Sequence, residues 1–68
     1  MRTEKEILSH LVAVNRADME EKALEGYGHA PWELLYNEQR DNTDRMSVDD
    51  LRAELKDWSE RYNQTTGA

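Results

Sequence analysis

Hydrophobic residues along this chain recur at intervals of three and four, the spacing that lines one face of an α-helix. Ile7, Leu8, Leu11, Val12 and Val14 begin the pattern, and Met19 and Ala23 carry one edge of it onward. Thr3 and Glu6 at its start read as a capping box, with Thr3 as N-cap and Glu6 reaching back to its amide. A helix is predicted over 4–25, ended by Gly26. At about 100° per residue the apolar positions cover about half its circumference, wide for a helix with one neighbour. That width suits a helix meeting two others, or one partner helix plus a symmetry mate. Asn15-Arg16-Ala17-Asp18 is its weak point, since Asp18 and Glu21 spell a second capping box where a helix can restart.

The stretch Gly26-Tyr27-Gly28-His29-Ala30-Pro31-Trp32 interrupts the pattern and holds the only proline and two of the three glycines. Both glycines permit positive φ beside Tyr27, so a sharp reversal is expected here. Pro31 fits the first turn of a second helix over 31–40, with Trp32, Leu35, Tyr36 and Gln39 on one side. Ala30 is a poor N-cap, which leaves tertiary contact or His29 to hold that start. Asp41-Asn42-Thr43-Asp44 reads as a polar turn. Ser47 then caps a third helix over 48–62, with Met46 and Leu51 placed as a hydrophobic staple. Val48, Leu51, Leu55, Trp58 and Tyr62 form its apolar stripe, two heptads long and too short for a coiled coil by itself. Residues 63–68 are small and polar and are expected to fray. The fold class is therefore all-α: one small three-helix domain with a core of Leu11, Trp32, Leu35, Leu51, Leu55 and Trp58.

Composition changes this picture in one respect. Only eleven of the 68 residues are Leu, Ile, Val or Phe, and the net charge is −6. Such a chain has little apolar surface with which to offset the entropy of ordering. Buried Trp, Tyr and Met must add to it, or a second copy must; self-association as a homodimer is the expectation. With no cysteine there is no disulfide and no thiolate metal site. No apolar run approaches membrane-spanning length and no signal-peptide core follows the charged start, so a cytoplasmic protein without a membrane partner is expected. Fifteen acidic against nine basic residues disfavour direct binding of a nucleic-acid backbone.

The candidate chemistry is thin. His29 and Glu33 stand four apart across a helix start, but a zinc site needs three or four protein ligands and His10 lies in another helix. No phosphate loop, nucleophile elbow or thiol is present, and Ser47 is explained as a cap. Neither an enzyme nor a cofactor is expected. Asp49, Asp50, Glu54, Asp57 and Glu60 give the third helix an acidic outer face, but Arg52, Lys56 and Arg61 interrupt it, so a solvated surface outweighs mimicry of a phosphate backbone. Five aromatics are more than a core of this size holds, which leaves Tyr27 and Tyr36 as contact residues. The predicted partner-binding set is Tyr27, His29, Tyr36, Asp50, Glu54 and Asp57, directed at a protein with a basic surface. The expected function is that of a small binding module that inhibits or modulates a larger protein. Phage and mobile-element products acting on host enzymes or defence systems are commonly of this type. A structural subunit of a larger assembly is the alternative, and nucleic-acid mimicry the third reading.

Overall fold

The structure, a computed structural model, describes residues 2–66 and the side chains of residues 2–62. Three helices follow one another: α1 (Glu4–Ala23), α2 (Trp32–Thr43) and α3 (Val48–Thr66). Both α2 and α3 pack on α1, whereas they meet each other only marginally. The central helix thus has two neighbours, one of the two arrangements its wide apolar face allows. The resulting body is flat, 37 × 33 × 19 Å, with a radius of gyration of 12.9 Å. A closed domain of 68 residues would have about 11 Å.

Local signals explain where the helices begin. The Thr3 hydroxyl accepts the Glu6 amide at 3.2 Å, and the Ser47 hydroxyl accepts the Asp50 amide at 3.1 Å. Helix α1 passes through Asn15–Asp18 without a break. Its inward position, described below, holds Arg16 and Ala17 in place there. It ends at Ala23, two residues before the predicted end. The amides of Leu24, Glu25 and Tyr27 turn back onto the carbonyls of Glu20, Lys22 and Leu24. Gly26 follows at φ +90°, and it alone of the two glycines takes a left-handed conformation.

Helix α2 departs further from expectation. Pro31, with ψ 151°, is the N-cap rather than a helical residue, and no side chain caps the start. At the other end the predicted turn at Asp41–Thr43 is helical. Tertiary contact overrides the turn propensity there. The Thr43 hydroxyl is fully buried, 2.7 Å from Ser9 Oγ and 3.1 Å from the Ser9 carbonyl. Ser9 Oγ donates its proton to Asp44 Oδ1 at 2.6 Å, which leaves its oxygen as an acceptor for Thr43. Helix α3 runs to Thr66, four residues past the predicted end; the expected fraying concerns residues 63–68, whose side chains lie outside the described set.

The core is smaller than predicted and turned on α1. Val12, Ala13, Ala17, Leu35 and Leu51 are buried, together with Ser9 and Thr43. Leu55, Trp32 and Trp58 are half-buried, and Leu11, predicted as core, is 41% exposed. Ser9, Ala13 and Ala17 explain the turn: spaced by four, they make a row of small side chains against which a neighbouring backbone can settle closely. Arg16 shares that inward side. Its Nε and Nη2 donate to Glu54 Oε2 and Oε1 at 2.7 and 2.5 Å, a two-pronged pair between α1 and α3. Nη1 reaches Gln39 Oε1 of α2 at 3.5 Å, and Nη2 touches the Met46 sulfur at 3.6 Å. Among the described residues no buried side-chain polar atom lacks a partner.

Two carboxylates are held in their charged form by these contacts. The Arg16 hydrogen bond, helped by Trp58 Nε1 at 3.0 Å, lowers the pKa of Glu54; the Ser9 hydroxyl and then Arg40 lower that of Asp44. Depressed folded pKa values contribute stability that is complete above the unfolded values, about 4.3 for Glu and 3.9 for Asp, and is lost as pH falls through the folded ones. The thermal midpoint should therefore be level from neutrality down to about pH 5 and drop steeply below about pH 4. Glu54→Gln should flatten that drop and cost about 1–3 kcal/mol at neutral pH, because Arg16 then sits half-buried without its counter-charge; thermal melts across pH measure both. In the reversal, Gly26→Ala should cost about 1 kcal/mol, through its φ alone, since a Cβ there meets nothing within 4 Å. Gly28→Ala should be neutral or slightly stabilising, which chemical denaturation resolves.

Candidate interaction surfaces

The six residues predicted to meet a partner lie on three different elements. Tyr27, on the reversal, is 74% exposed. His29 stands near it, exposed, with Nδ1 2.6 Å from the Ala30 carbonyl. Tyr36 is half-buried and engaged within the chain: it stacks on Trp32 at 5.4 Å, meets His10 edge-on at 5.5 Å, and accepts a hydrogen bond from Arg40 at 2.9 Å. Its own proton is free for His10 Nδ1, 2.7 Å away. Trp32 in turn donates Nε1 to Asp18 Oδ1 at 2.7 Å. This aromatic wall ties α2 along one edge of α1.

The acidic members of the set divide in the same way. Asp50 is exposed at the start of α3, and Asp57 pairs with Arg61 at 3.3 Å. Glu54 belongs to the ion pair with Arg16 and is only 24% exposed. The structure therefore gives Tyr36 and Glu54 structural partners and leaves Tyr27, His29, Asp50 and Asp57 at the surface, without bringing them together. Among the described residues no group of three metal-ligating side chains converges, and no helix is long and apolar enough to cross a membrane.

A different surface is concave. Between the C-terminal halves of α1 and α3 lies an open groove of about 820 Å³. Met19, Leu55, Trp58 and Tyr62 line it, with Asp18, Lys22 and Arg61 at its edges. Its lining is mostly apolar, and the Arg61 guanidinium lies 5.2 Å over the Trp58 ring. Met19 is 47% exposed and Tyr62 71%. The groove lies beyond the Arg16–Glu54 pair, where members of both apolar stripes stay partly exposed. None of the six predicted residues lines it. The signal for it was present in the sequence as late members of two apolar stripes, Met19 and Tyr62, which a closed core would have absorbed.

These surfaces offer apolar contact, hydrogen-bonding edges and charged groups of both signs. Compared with known proteins, the chain matches no family model, no curated protein and no solved structure.

Proposed function

We propose that this protein is a small protein-binding module that inhibits or modulates a larger partner by occupying its surface, and that it works as a homodimer in the cytoplasm. The groove between α1 and α3 carries the reading. Its dimensions and apolar lining match the way a groove between helices receives an amphipathic segment, with long side chains seated between the walls. Met19 contributes an unbranched, adaptable side chain to the contact, and Trp58 and Tyr62 contribute the broad aromatic area typical of binding hot spots. The exposed carboxylates of Asp49, Asp50, Asp57 and Glu60 and the net charge of −6 favour a partner whose surface is basic. Occupation rather than catalysis is the proposed mode of action, and a phage or mobile-element product directed at a host protein is the class of origin it fits.

The test is capture of a partner from a native host lysate on immobilised protein, identified by mass spectrometry and then measured with purified components. Met19→Gln keeps an exposed side chain of similar length and removes its apolar surface. It should leave the helical circular dichroism unchanged and weaken the complex about tenfold. Raising salt should weaken it further, as screening removes the attraction between the acidic module and a basic surface. A complex that ignores both Met19→Gln and salt, but is lost with Tyr27→Ala, would move the interface to the reversal and overturn the groove as its site.

A further inference from the structure

We infer that Glu54 is a positioning residue of the groove: it fixes the Trp58 indole that lines the groove, without lining the groove itself. This rests on the reading of the groove as a docking site and adds to it what holds that site ready. Glu54 and Trp58 stand four apart on α3, one turn from each other on the same face. The indole has a single donor, Nε1–H, which goes to Glu54 Oε2 at 3.0 Å. Over its ring lies the Arg61 guanidinium, 5.2 Å from the centroid and itself paired with Asp57 at 3.3 Å. The indole is thus held by its edge and covered on one face.

The other side of the carboxylate makes that hold stiff. Arg16 Nε donates to Glu54 Oε2 at 2.7 Å, and Nη2 donates to Oε1 at 2.5 Å. Two bonds from one planar guanidinium fix the plane of a carboxylate as well as its place. The acceptor offered to Trp58 is therefore set from α1, across the helix interface, and not by the rotamers of Glu54 alone. First the Arg16 bond and then the Trp58 bond favour the charged form of Glu54, so the acceptor is a full carboxylate at neutral pH.

The other tryptophan supplies the contrast. Trp32 Nε1 also meets a carboxylate, Asp18 Oδ1 at 2.7 Å, but that bond is exposed and Asp18 makes no ion pair among the described residues. A side chain ordered before binding loses less freedom on binding, an advantage of about two- to tenfold in affinity for one large residue. Trp58 is the half-buried aromatic of the groove, so that advantage falls on the side chain best placed to anchor an incoming helix.

Nitrogen-15 relaxation of the two indole Nε1–H groups tests the positioning in the wild-type chain. The Trp58 indole should be as ordered as the backbone amides of α3 around it. Glu54→Gln should loosen it and shift its resonance while leaving that of Trp32 in place. For binding, the probe is a Leu–Lys amphipathic peptide of about 18 residues, titrated by calorimetry. Glu54→Gln should weaken its binding about two- to tenfold more than Glu60→Gln, which removes the same charge from an exposed position outside the groove. A Trp58 indole already mobile in the wild-type chain, or equal losses from Glu54→Gln and Glu60→Gln, would overturn the positioning role and leave the groove standing. A peptide that binds the wild-type chain no more tightly than it binds Met19→Gln would overturn the groove as the docking site, and the indole relaxation then decides the positioning by itself.

Discussion

One ion pair organises this molecule. Arg16 stands midway along α1, grips Glu54 of α3 with two hydrogen bonds, and extends toward Gln39 of α2 and Met46 of the second connection. Through its own donors it reaches both neighbouring helices and the segment between them. A pair of this kind adds modest net stability, because desolvating both charges offsets much of their attraction. Its larger effect is on direction. Half-buried Arg16 shares the inward side of α1 with Val12, Ala13 and Ala17, while Ile7 and Leu11 stay outside. With five buried apolar residues, the choice of which side of α1 faces in is made as much by polar complementarity as by greasy area.

The sequence made the three helices legible because their signals are local. Thr3 and Ser47 act as caps where expected, and the 3.6-residue period places all three elements. What misled was size. Large aliphatic residues stood out in α1, so Leu11 was expected inside, whereas the side that packs is marked by Ser9, Ala13 and Ala17. Small residues carry little hydrophobic weight in a periodicity argument, yet they decide how near two helices come. The end of α2 was misread for a related reason. Asn42 and Thr43 look like turn residues until Thr43 finds a buried hydroxyl partner in Ser9, 34 positions earlier in the chain. No local rule contains that contact.

The candidate site was less legible than the fold. Residue types pointed to aromatics and carboxylates as contact groups, but each of these has two uses, and the tertiary arrangement assigns them. Tyr36 joins the wall of Trp32 and His10, and Glu54 answers Arg16, so two attractive surface residues serve the interior. The groove is built jointly by two helices, so no single residue in it marks it in the sequence.

The marginal contact between α2 and α3 has a consequence for how strain moves through the molecule. A closed three-helix bundle offers a direct route between any two members. Here α1 is the shared wall, and a displacement of α3 reaches α2 through the short connection 44–47 and, across α1, through Arg16 and the row of small side chains beside it. Wedging the groove open would pull on Glu54, and through it on Arg16 and Gln39. The side-chain route between the outer helices thus passes through a pair of charges that acid can disconnect.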